Sequence, residues 1–263
     1  MHLITVFALV IFGFAGIANA KIVGREVSYK DDGTTLKGYV AYDDSIKGRR
    51  PGVIVVHEWW GHNAYARSRA DMLAKMGYTA VALDMFGDGK TADHPDDAGK
   101  MAGAISSNMP LMKARFLAAL KALKAEPTVD PAKTGAIGYC FGGNVVLNMA
   151  REGVDLTTVA AFHSQVGGQT KAERGKFKAR VLVANGADDI WITPESVEAF
   201  KKEMDAAGVK YKYIAYPGAI HGFTNPAATG LGEKFHIPIA YNKKADEESW
   251  AELSKLFKET LGK

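Results

Sequence analysis

Four side chains in this sequence are of types that together can break an acyl bond. Cys140 stands in Gly138-Tyr139-Cys140-Phe141-Gly142-Gly143, and Asp189 closes the run Asn185-Gly186-Ala187-Asp188-Asp189. His221 lies in Tyr216-Pro217-Gly218-Ala219-Ile220-His221-Gly222, and Glu58 follows His57. Gly138-x-Cys140-x-Gly142 is the nucleophile-elbow pattern with a thiol where a serine hydroxyl is usual. Small residues on both sides let a strand turn sharply into a helix, so the sulfur is presented at the tip of the turn. The helix then sets its positive end beside that sulfur. His221 can hold the sulfur as thiolate and later protonate a leaving group, while Asp189 fixes the imidazole tautomer. Asp188 is the alternative carboxylate, and the competing reading of one or both aspartates is as caps for the helix that follows. The chain order nucleophile, acid, histidine is the one associated with a mostly parallel α/β sheet.

Such a sheet is what the rest of the pattern supplies. An N-terminal strand pair is expected around residues 23–29 and 36–42, then strands at 53–57, 79–83, 134–137, 158–162, 180–184 and 211–216. Helical patterns fall at 65–76, 98–125 (broken at Pro110), 144–150, 195–207 and 245–261, with a polar loop over residues 84–97. Short β-rich runs alternating with helices imply an α/β fold with a mostly parallel central sheet and helices on both faces. Each candidate residue falls at the carboxyl end of a strand, where such sheets gather their chemistry. The loop after the strand at 53–57 carries Trp59, whose backbone N–H can serve an oxyanion hole together with that of Phe141, the residue after the nucleophile. Glu58 is either a surface carboxylate or a base for the thiol proton. His57-Glu58-Trp59-Trp60-Gly61-His62 is no zinc helix, because its histidines are five apart across a strand end rather than four apart on a helix face.

The chain has 263 residues, 47% of them hydrophobic, and one domain over residues 21–263 is expected. Residues 3–17 are almost wholly apolar and Ala18-Asn19-Ala20 fits a cleavage site, so residues 1–20 read as a signal peptide. The preceding Met1-His2 carries no Lys or Arg, which leaves an uncleaved anchor as the alternative. Cleavage after Ala20 implies a periplasmic or secreted protein with no lasting membrane insertion. A net charge of +4 with scattered basic residues points away from nucleic acid. One cysteine cannot form an internal disulfide, so a core must hold the exported chain together.

Taken together these residues resemble the dienelactone hydrolase family of α/β-hydrolases. The resemblance rests on Glu58-x-x-Gly61-x-Asn63-x-x-x-Arg67, on Gly138 to Gly143, on Asp189 and on His221-Gly222-Phe223, and it spans essentially all of residues 21–263. It implies an α/β-hydrolase fold, a Cys140-His221-Asp189 triad that opens a lactone or cleaves an ester through an acyl-enzyme, and Glu58 handling the thiol proton. No metal or organic cofactor is implied. Members acting on dienelactone place an Arg shortly after the histidine, where this chain has Thr224-Asn225-Pro226; Lys100 or Arg115 would have to stand in for a carboxylate-binding cation. Trp60, Tyr139, Trp191 and Phe223, with Trp59 and Phe141, fall on the expected site loops and suggest an apolar or aromatic acyl substrate.

The leading expectation is a hydrolase of carboxylic esters or lactones, with a small-peptide hydrolase as a variant within that class. A non-catalytic binding module of the same fold is the alternative from another class, and a redox-sensing Cys140 would need a partner thiol from elsewhere. His163 and Ser164 are expected in packing, and His62, His94 and His236 in loops or at the surface. Composition does not set the oligomeric state.

Overall fold

The structure, a computed structural model, describes residues 21–262; the expected signal peptide lies outside them. Eight strands form one sheet in the order β1-β2-β4-β3-β5-β6-β7-β8. Strands β1 (Ile22–Asp31) and β2 (Thr34–Asp43) make an antiparallel hairpin, and β2 pairs antiparallel with β4 (Thr79–Ala82). From β4 onward every pairing is parallel, through β3 (Arg50–Val56), β5 (Val129–Tyr139), β6 (Thr158–Phe162), β7 (Arg180–Gly186) and β8 (Tyr211–Tyr216). Central strands covered on both faces should read as continuous apolar runs. β3, β4 and β6 are accordingly buried at every position.

Two apolar layers sandwich the sheet. One packs α3 (Met109–Ala125), α4 (Phe141–Arg151) and α5 (Pro194–Ala207) on it through residues such as Phe116, Val145 and Phe200. The other packs α1 (Ala64–Lys75) and α7 (Lys243–Leu261) through Leu73, Leu253 and Phe257. Helix α2 (Pro95–Ser106) and the short α6 (Ala228–Phe235) complete the described elements.

Apart from one extra helix, the differences from the expected elements fall at their ends. Residues 98–125 form two helices, but the break is at Ser107 and Asn108 rather than at Pro110. Asn108 caps α3 by accepting from the Leu111 N–H, and Pro110 sits in the first turn, where its missing N–H costs nothing. α2 begins within the expected loop, because Pro95 can start a helix that His94 caps. The loop after β4 is pinned by the buried Asp84, whose carboxylate accepts from the N–H groups of Lys37, Phe86, Gly87 and Gly89. α6 was not anticipated; its two glycines in eight residues hide the helical period.

Candidate active site

The turn from β5 into α4 carries Cys140 at φ 54°, ψ −117°. A non-glycine residue there is strained, and surrounding packing must hold it. The packing is specific: the Cys140 N–H donates to the Phe162 carbonyl at 3.0 Å, and the neighbouring glycines leave no room for side chains. A Cβ on Gly138 would stand 2.0 Å from the Gly142 carbonyl oxygen, and one on Gly142 would stand 2.4 Å from that of Val56. The small residues of the elbow are therefore required by backbone approach, as the sequence pattern implied. Phe141 is the first residue of α4, so its N–H has no partner within the helix and points outward from the positive helix end.

His221, in the loop after β8, offers Nδ1 to Asp189 Oδ2 at 2.8 Å. Asp189 is buried and also accepts from the Trp191 N–H at 3.0 Å, so both its oxygens are engaged and its orientation is fixed. Asp188 is exposed, and α5 is capped by Thr193, so neither aspartate serves as the helix cap. His221 Nε2 is buried without a partner of hydrogen-bonding geometry among the described residues. Burial alone would lower the pKa of His221; the influence of Cys140 and the bond to Asp189 outweigh it and push the value up to about 10. A thiolate on Cys140 and a protonated His221 would therefore stabilise each other.

Glu58 is buried at the end of β3 and accepts from Asn225 Nδ2 at 2.6 Å. Burial pushes its pKa up to about 7, against the opposing effects of the Asn225 bond and the positive charges of His221 and Arg69. Of the two readings left open, a surface carboxylate is excluded. A carboxyl poised near neutrality can take and return a proton. Over Cys140 and His221 opens a cavity of about 410 Å³, lined by Trp59, Gly99, Ala102, Gly103, Ser106, Cys140, Phe141, Asn144, Gln165, Trp191, His221 and Ile239; Glu58 lies behind this lining. Cys140, His221 and the two proposed N–H donors thus border one apolar hollow within the size range of small-molecule sites.

Residues 36–261 match the model of the dienelactone hydrolase family. The chain belongs to the dienelactone hydrolase family. It is 30% identical over 224 residues to protein usf of Aquifex pyrophilus, covering 84% of this chain and 95% of that one. A dienelactone hydrolase-like promiscuous phosphotriesterase from metagenomic libraries superposes with a TM-score of 0.84 at 34% identity, over 92% of this chain and 99% of that one. A structure named m3DLH does so at 0.86, again with 34% identity and the same coverage. The eight-stranded, mostly parallel sheet is an α/β-hydrolase sheet, and the chain is a dienelactone hydrolase-like hydrolase.

Against the family frame, three of the expected substrate-binding aromatics stand elsewhere. Tyr139 and Phe223 are fully buried behind the site, Tyr139 stacked on Phe162 and Phe223 packed edge-on to His163. Trp60 is buried against Trp59 and Phe235. Trp191 does reach the cavity, 38% exposed, with its ring 4.7 Å from that of His221. Lys100 and Arg115 do not border the cavity: Lys100 pairs with Asp97 on the surface, and Arg115 donates to the Met85 carbonyl.

His62 lies in the loop between β3 and α1, as expected, but is buried there, and burial lowers its pKa to about 4. His57 spends Nδ1 on the Glu58 carbonyl and Nε2 on the Met85 N–H, which occupies both of its nitrogens. His163 and Ser164 are fully buried outside the cavity lining, in packing as expected.

Sequence reasoning missed the support under the site. Arg69 of α1 is buried, donates to the Thr224 carbonyl and to Asp246 of α7, and lies over the rings of Tyr65, Tyr139 and Trp250. The Thr224 hydroxyl bonds Tyr65 at 2.5 Å and His163 Nε2 at 2.7 Å, and the His163 ring meets that of His221 edge-on at 5.2 Å. Thr224-Asn225, noticed only for lacking a cation, thus braces both sides of the site. An Arg on the buried face of an amphipathic helix was the available signal for Arg69.

Proposed function

We propose that this chain hydrolyses carboxylic esters or lactones through an acyl-cysteine intermediate on Cys140. The observation that carries the reading is the His221–Asp189 bond of 2.8 Å with His221 Nε2 left unengaged beside Cys140 at the elbow. In the sequence of steps, Glu58 as carboxylate takes the thiol proton, and the sulfur attacks the substrate carbonyl carbon. The oxyanion that forms accepts hydrogen bonds from the N–H groups of Trp59 and Phe141. The C–O bond breaks, the departing alkoxide takes the proton held by His221, and an acyl-cysteine remains. Neutral His221 then takes a proton from water as its oxygen bonds the acyl carbon. The C–S bond breaks, the acid is released, and Glu58 returns its proton to the sulfur. Asp189 keeps the imidazole in the tautomer both halves need.

The test is hydrolysis of p-nitrophenyl esters and a simple enol lactone by the protein beside Cys140→Ala. Activity that falls at least ~10³-fold in the variant is expected, since the nucleophile itself is lost. Activity that survives the substitution would remove Cys140 from the mechanism. Silence of the intact protein on every ester and lactone would favour the binding-module reading. Because a relative at 34% identity is named a promiscuous phosphotriesterase, a phosphotriester belongs in the same panel. The apolar run and Ala18-Asn19-Ala20 support work outside the cytoplasm after removal of residues 1–20. An N-terminus at Lys21 on the protein recovered from its cell envelope or medium checks that.

A further inference from the structure

One wall of the cavity is built by a helix that the proposed acyl chemistry does not use. Gly99, Ala102, Gly103 and Ser106 stand at i, i+3, i+4 and i+7 of α2, which places them on one face, and all four border the cavity. A Cβ on Gly99 or Gly103 would meet no atom within 4 Å. The glycines are therefore not forced by close packing; they leave open space beside Cys140. The helix is tied at both ends. Before it, the Ala92 N–H bonds the Trp60 carbonyl at 3.0 Å; at its far end, the Gln169 amide donates to the Ser106 carbonyl.

The second observation is the charge of the lining. Trp59, Phe141, Trp191 and Ile239 face the α2 trough, and among the described residues the lining contains no Lys, Arg, Asp or Glu; its one titratable cation, His221, is bonded to Asp189 and stands at the reacting centre rather than on the α2 face. Asn144, one of its polar donors, already gives its amide to the carbonyls of Gln165 and Gly167. A substrate carboxylate carried along the α2 face, away from the reacting centre, would lose water without finding a compensating charge.

We propose that the site takes uncharged esters or lactones whose apolar portion lies along the α2 face, with Gly99 and Gly103 setting how long that portion can be. This rests on the acyl-cysteine reading. It separates the chain from enzymes selective for substrates bearing a free carboxylate, and it gives α2 the part of specificity wall.

The experiment compares kcat/KM for p-nitrophenyl acetate, hexanoate and octanoate and for the mono-p-nitrophenyl ester of adipic acid, in the protein and in Gly99→Leu/Gly103→Leu. Hexanoate should exceed its ω-carboxylated counterpart by roughly 30-fold or more, and the octanoate-to-acetate ratio should fall about tenfold or more in the variant, the scale on which methylenes in an apolar pocket discriminate. Both substitutions replace glycine with a better helix former, so the variant should fold; its melting temperature checks this. Equal turnover of the neutral and carboxylated esters, or an unchanged length ratio in a folded variant, would overturn the proposal.

Binding of methyl octanoate to Cys140→Ala, followed by tryptophan fluorescence, separates the two readings. Saturable binding that the α2 substitutions weaken supports the specificity wall even if no ester is hydrolysed. Absence of binding, with hydrolysis intact and indifferent to chain length, would overturn the wall and leave the acyl-cysteine reading standing.

Discussion

At the scale of single residues, the site depends on two groups whose protons are held at unusual pH. Burial lifts Glu58 from 4.5 to about 7, so between those values the folded protein holds a proton that the unfolded chain has released. The stability associated with it is fully present below pH 4.5 and is lost as pH rises through 7. Glu58→Gln removes the cost of ionising a buried carboxyl, so the variant should be the more stable above pH 7, by on the order of 3 kcal/mol. Urea unfolding at pH 8 and pH 4 should show that gain disappear at the lower pH. The same substitution should lower kcat/KM by about 10²–10⁴ if Glu58 moves the thiol proton.

In the unaltered protein kcat/KM should rise with pH through about 7, as Glu58 ionises, and fall through about 10, as His221 loses the proton it gives the leaving group. A flat profile between pH 6 and 8 would contradict that assignment for Glu58. Cys140 and His221 were legible as candidates because each is the single suitable residue in a short loop after a strand, whereas choosing Asp189 over Asp188 took the fold, which buries one and exposes the other. The state of Glu58 was not legible either, because burial is a property of the folded neighbourhood.

At the scale of elements, what positions His221 is a chain of contacts that crosses three segments. Arg69 on α1 reaches the Thr224 carbonyl and, at 2.7 Å, Asp246 on α7, and its side chain is 3% exposed. Removing the carboxylate would leave a buried guanidinium with no anionic partner, only the Thr224 carbonyl, the Tyr65 hydroxyl, the Met72 sulfur and ring faces. Asp246→Ala should therefore cost about 3 kcal/mol of stability, the lower end of what breaking a buried pair costs, and denaturant unfolding at pH 7 measures it. An effect within error would mean that the three surrounding rings suffice.

Strands β6 and β8 coincide with their expected limits because their ends are marked by abrupt changes of polarity. Helix starts were less legible. A proline reads as a breaker in sequence, whereas Pro95, Pro110 and Pro194 all sit in first helical turns, where the orphan N–H makes them welcome. The helix over Gly99 and Gly103 was expected, but that its glycine face borders the cavity depends on how α2 packs, which local sequence does not encode.

At the scale of the whole molecule, one sheet does two jobs. Its buried middle, β3, β5, β6 and β7, anchors the loops that carry Glu58, Cys140 and Asp189 at their carboxyl ends, while the β1–β2 hairpin closes one edge in antiparallel fashion. The sheet's class was legible from the alternation of strand and helix patterns, but its order was not: β4 pairs between β2 and β3, a crossover that local sequence does not encode. No helix among the described residues is long and apolar enough to cross a membrane.

The most direct measurement of the central claim is to quench the protein during turnover of p-nitrophenyl acetate and locate the acetyl group by peptide mass spectrometry. The mechanism proposed here predicts an acetyl thioester on the peptide carrying Cys140, accumulating further in His221→Asn, where water is no longer activated. Steady turnover with no adduct in either protein, or an acetyl group on another side chain, would contradict it.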